Sequence, residues 1–61
     1  MSNILIIDDE PQMRRLMGRV LRAAGHTVHE AGGGRDGIEL FRRVQPVLVI
    51  TDIVMPDMEG I

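Results

Sequence analysis

The sequence predicts an α/β fold: a β-α-β-α-β chain whose three strands form a parallel sheet in the order 2-1-3. Three observations lead there. Two closely matched apolar runs, Ile4-Leu5-Ile6-Ile7 and Val47-Leu48-Val49-Ile50, are short, uninterrupted and rich in β-branched residues, the pattern of strands buried on both faces. Each run leads into acid: Asp8-Asp9-Glu10 follows the first, and Asp52 follows the second after Thr51. Between the runs lie two stretches with helical spacing and one short extended stretch. Such alternation with short connections implies right-handed crossovers, with a helix on each face of the sheet. The two strongest runs are expected to be neighbours, which sets the strand order.

The first strand is read over residues 3–7. Pro11 sits in the first helical turn, where its missing N–H is not needed, and Asp9 or Glu10 is placed to cap that turn. The helix is read over residues 11–24. Its apolar residues Met13, Leu16, Met17, Val20, Leu21 and Ala24 fall on one face, while Arg14, Arg15, Arg19 and Arg22 fall largely on the other. Gly25 is placed to end it in the left-handed conformation. Residues 26–31 alternate only weakly and read as an edge strand. After Gly32-Gly33-Gly34, a second helix is read over residues 35–44, with Ile38, Leu40, Phe41 and Val44 apolar. Gly37 near its start costs about 1 kcal/mol against Ala, which makes it the weaker helix.

Composition narrows the class. The chain has 61 residues, a length at which only about 60% of the unfolded surface is buried and stability is marginal without help. It has no cysteine, which excludes disulfides and thiolate metal sites. Its 44% hydrophobic content with a single aromatic, Phe41, is that of a globular chain. A formal charge of −2, with seven arginines and no lysine, gives no general attraction to nucleic acid or membrane. No apolar run reaches the roughly 20 residues of a membrane span, and no secretory signal is visible. The expectation is a soluble, cytoplasmic chain. His26 and His29 lack a third ligand, and the methionines read as packing residues.

If the two matched strands are neighbours, Asp8, Asp9 and Asp52 meet at the carboxyl end of the sheet, where open parallel sheets collect ligands. Converging carboxylates repel one another and call for a cation. Their hard oxygens suit Mg²⁺. A divalent ion offsets the charge of a phosphoryl group delivered to a carboxylate, and a carboxylate that attacks phosphorus gives an acyl phosphate. Each acidic stretch taken alone also fits simple helix capping or a strand-end turn; two of them after matched runs favour a site.

These residues resemble the receiver domain of two-component response regulators. The resemblance rests on Ile4 to Glu10, on the Asp-Ile-Val-Met-Pro-Asp-Met-Glu-Gly block from Asp52 to Gly60, and on Glu30-Ala31 with Gly37-Ile38-Glu39-Leu40-Phe41. It covers the whole chain and implies a flavodoxin-like fold, here its N-terminal half, residues 1–61. It further implies that Asp52 is the phosphoacceptor and that Asp8, Asp9 and the Val54 backbone carbonyl hold Mg²⁺ with it. Met55, Pro56 and Gly60 would shape the following loop. A sensor histidine kinase would donate the phosphoryl group, with Arg14, Arg15 and Arg19 as candidate docking residues.

A full receiver is about twice as long. The switch Thr or Ser and the phosphate-pairing Lys of its second half have no counterpart here, so phosphorylation is expected to be impaired. Truncation would leave the third strand edge open and apolar, which invites pairing. The expectation is therefore a C₂ homodimer through that edge and the sheet faces, with domain swapping as the lesser alternative. Two functions follow: a Mg²⁺-dependent phosphoacceptor module, or a self-associating module whose acidic site is vestigial. An enzyme is not expected. The glycines follow the second strand rather than the first, unlike a dinucleotide motif. Val54 stands where a haloacid-dehalogenase-like phosphatase needs a second Asp.

Overall fold

Five elements alternate along the chain: β1 (Asn3–Ile7), α1 (Pro11–Ala23), β2 (Thr27–Ala31), α2 (Gly34–Val44) and β3 (Leu48–Thr51). They are seen in a computed structural model that describes residues 2–51. The three strands form one parallel sheet in the order β2-β1-β3, as expected. Ile7 lies opposite Ala31 on one side and Thr51 on the other, so the ends of β1 and β2 lie level with each other and with Thr51 of β3.

The central strand carries the core. Leu5 and Ile6 are fully buried, and Ile4 and Ile7 nearly so. Because strand side chains alternate between faces, β1 divides its residues between two clusters. Leu5 and Ile7 join Ala31, with Leu40 of α2 and Val49 packed against them. Ile4 and Ile6 join Val28, with Met17 and Leu21 of α1 and Ile50 packed against them. The two helices therefore cover opposite faces. β3 was expected to be buried on both faces and is only half-buried: Val49 and Ile50 are partly covered, and Leu48 is 50% exposed. Among the described residues β3 lies at the sheet edge, and both helices lie over β1 and β2 rather than over β3.

The helix ends follow from backbone accounting. Gly25 has φ +96° and ends α1. Its N–H donates to the Arg22 carbonyl, and the His26 N–H donates to the Leu21 carbonyl, the paired bonds of a Schellman motif. That bond holds His26 in the turn, so β2 begins one residue later than the sequence suggests. Nothing lies within 4 Å of a Cβ added at Gly25, so its requirement is conformational alone. α2 ends at Gln45, a non-glycine residue at φ 53°.

Gly37 has a packing role besides its cost in helix propensity. A Cβ there would stand 2.5 Å from Ile7 Cδ1 and 2.8 Å from Ile7 Cγ1. The missing side chain lets α2 settle directly on the end of β1.

Candidate functional site

The carboxyl end of β1 delivers Asp8. The residue is only 7% exposed and three bonds hold it. Its N–H donates to the Ala31 carbonyl at 3.0 Å, which carries the sheet pairing one residue past Ile7. Its Oδ1 accepts the Glu10 N–H at 2.9 Å. Its backbone carbonyl accepts Arg14 Nη1 at 2.8 Å. Among the described residues no salt bridge joins the carboxylate to a cation, and the Arg14 guanidinium reaches only the backbone carbonyl.

The capping expected of Asp9 or Glu10 is not what the structure holds. Glu10 occupies the N-cap position of α1 without a side-chain cap bond, and Asp9 is exposed. Asp8 instead satisfies the N–H that precedes the helix, and Pro11 at the next position has none to satisfy. Asp8 and Asp9 thus differ: one is fixed and buried, the other extends to solvent.

Arg14 is likewise not a free docking residue. Its side chain is 19% exposed, with Nε 3.4 Å from Glu30 Oε1. Arg22 Nη1 lies 3.1 Å from Glu30 Oε2, and Arg22 Nη2 donates to the Val28 carbonyl at 3.1 Å. Gly18, buried between the two arginines along the helix, leaves the space: a Cβ there would stand 3.0 Å from Glu30 Oε2. The sequence carries a signal for this cluster, because Arg14, Gly18 and Arg22 recur every four residues and so share one helix stripe. Arg15 and Arg19 remain exposed.

The donor set fits a hard divalent ion. A nearly buried carboxylate with no ion pair is costly, carboxylate oxygens are the ligand type Mg²⁺ takes, and a second carboxylate is adjacent. Among the described residues no three His, Asp or Glu groups gather to hold a metal. Asp52 and Val54, the remaining donors expected, lie outside the described residues. What is described is the approach to them: β3 runs parallel to β1 and brings Thr51 level with Ile7. His26 and His29 do not join the site; His26 Nδ1 is buried without a hydrogen-bond partner among the described residues.

Comparison with known proteins settles the family. The family model of the response regulator receiver domain matches residues 4–61. The chain belongs to the response regulator receiver family. Protein PilH of Pseudomonas aeruginosa is 42% identical over 60 residues, which span 98% of this chain and 50% of that protein. Regulatory protein AtoC of Escherichia coli is 40% identical over 98% of this chain and 13% of its own length. The probable transcriptional regulatory protein TcrX of Mycobacterium tuberculosis is 36% identical over 95% of this chain and 25% of its own length. This receiver chain thus spans half or less of each relative. Among the described residues no helix is long and apolar enough to cross a membrane.

Proposed function

We propose that the chain is the phosphoacceptor part of a two-component signalling receiver, with Asp52 as acceptor and Asp8, Asp9 and the Val54 carbonyl as Mg²⁺ ligands. One observation carries the reading: Asp8 is nearly buried at the carboxyl end of β1 and held by three hydrogen bonds, and no described cation forms a salt bridge with its carboxylate. Thr51, the residue before Asp52 in the sequence, lies level with Ile7, the residue before Asp8.

In the reaction, an Asp52 carboxylate oxygen attacks the phosphorus of a sensor kinase's phosphohistidine. A P–O bond forms, the P–N bond breaks, and the imidazole leaves with the electron pair and takes up a proton. When bound, Mg²⁺ supplies charge that offsets the phosphoryl oxygens. The chain's own part is to present the acceptor and to hold Asp8 in one conformation. It accepts and carries the group in the cytoplasm and is not itself an enzyme.

Acetyl phosphate with Mg²⁺, read by intact mass and fragment mapping, tests this. The expected result is one added phosphoryl group on Asp52, lost in Asp52→Asn and lost without Mg²⁺. Modification that survives Asp52→Asn refutes the assignment.

A second reading, self-association, is favoured by the exposure of Met13, Leu16, Val20, Ile38, Phe41, Val47 and Leu48. Leu16, Met17, Val20, Leu21 and Ile50 line an apolar groove, and among the described residues β3 pairs only with β1. This favours a homodimer through the β3 edge and the sheet faces. Size-exclusion chromatography with light scattering at micromolar concentration tests it, and a folded monomer refutes it.

A further inference from the structure

We infer that Arg14 is a positioning residue for the divalent-ion site, acting through the backbone of Asp8, with Glu30 as the anchor that holds its guanidinium in place. The inference rests on the metal-site reading above and goes beyond it to the part of the chain that shapes the site.

The Asp8 carbonyl lies between the last pairing of β1 and the first turn of α1. In the described structure its partner is Arg14 Nη1, 2.8 Å away. The same guanidinium presents Nε to Glu30 Oε1. Glu30 lies in β2, next to Ala31, whose carbonyl accepts the Asp8 N–H. The result is a closed loop: β2 holds Asp8 once through its backbone and again through Glu30 and Arg14. A planar fork serves two acceptors at once in this way; a lysine ammonium on a flexible stem does not reproduce it.

The surroundings are shaped for the fork. A Cβ at Gly32 would stand 3.3 Å from Arg14 Nη1, and one at Gly18 would press on Glu30 Oε2. Arg22 supports the other Glu30 oxygen but bonds to Val28, away from Asp8. The two arginines therefore have separable roles. Arg22 ties α1 to β2, whereas Arg14 also fixes the turn from which the Asp8 carboxylate emerges. Partners that orient a ligand's carboxylate or backbone commonly change metal affinity by about tenfold or more when removed.

The test compares Arg14→Lys, Arg14→Met and Arg22→Met in the full chain, each checked for folding by circular dichroism. The first readout is Mg²⁺ affinity, followed by NMR at the Glu10 amide, which donates to Asp8 Oδ1. The second is hydrogen exchange at that amide without metal. Both Arg14 variants should weaken Mg²⁺ binding by about tenfold and speed Glu10 exchange, Arg14→Lys doing so despite its retained charge. Arg22→Met should change neither readout while lowering the unfolding midpoint. Equal Mg²⁺ affinity in wild type and Arg14→Met overturns the inference, as does a loss shared equally by Arg22→Met. If the wild type does not respond to Mg²⁺, the metal-site reading falls. Glu10 exchange then still decides the clamp, and unchanged exchange in Arg14→Met refutes it.

Discussion

Gly37→Ala sets two physical effects against each other. Helix propensity favours alanine inside α2 by about 1 kcal/mol, and Gly37 has no left-handed backbone that alanine would strain, since the positive-φ glycine among the described residues is Gly25. Packing opposes the change. The new methyl would meet Ile7 Cδ1 at 2.5 Å, Cγ1 at 2.8 Å and Cγ2 at 3.2 Å. Swinging the outer methyl away does not clear the two inner carbons, and the β-branched side chain has little freedom at χ1. Overpacking of this kind costs about 1–3 kcal/mol, so after the propensity gain of about 1 kcal/mol the net expectation is a loss of up to about 2 kcal/mol. With a urea slope of about 1 kcal/mol per molar for a chain this small, the midpoint should fall by up to about 2 M. Far-UV circular dichroism during urea unfolding measures it. Ile7→Val removes the closest carbon, so Gly37→Ala should cost about 0.5–1 kcal/mol less in that background. A midpoint that rises in Gly37→Ala would show that propensity dominates and that α2 does not rest on Ile7 as described.

Three further outcomes follow from single residues. Gly25→Ala should destabilise by about 1 kcal/mol through φ +96° alone, and because space is open there, Gly25→Asn should cost less, both read from urea midpoints. Gln45→Gly should leave stability unchanged or raise it by up to about 1 kcal/mol, since Gln45 holds φ 53° at the end of α2; a clear loss would place the strain elsewhere. Asp8→Asn should abolish the Mg²⁺ response at the Glu10 amide while the chain stays folded, because the amide oxygen can still accept the Glu10 N–H; a Mg²⁺ response that survives would place the ion elsewhere.

Much of the fold was legible because it depends on periodicity. The unbroken Ile4 to Ile7 run required a central strand, the single apolar face of α1 required a sheet beneath it, and Gly25 marked the turn between them. The packing of Gly37 was not legible. A glycine in a helix reads as a loss until the neighbouring strand is known, and Ile7 is thirty residues away in sequence. Asp8 was legible as an acidic strand end, whereas its division of labour with Asp9 was not, since only burial distinguishes them. The Arg14-Glu30-Arg22 cluster joins a helix to a strand, and composition alone reads those arginines as a solvated face. The stripe of Arg14, Gly18 and Arg22 was a sign that the face is covered. Incomplete burial of β3 followed from its place at the edge, which a hydrophobic run does not reveal.

The account depends on the ends of β1 and β3 facing one shared ion. Mn²⁺, which takes the same oxygen ligands as Mg²⁺ and broadens nearby NMR signals, measures this directly at substoichiometric concentration. The account predicts that the amides of Asp9 and Glu10 and those of Asp52 and Ile53 broaden together, and that Mg²⁺ restores both sets together. Broadening confined to one of the two stretches, or spread evenly over all the acidic residues, would contradict it.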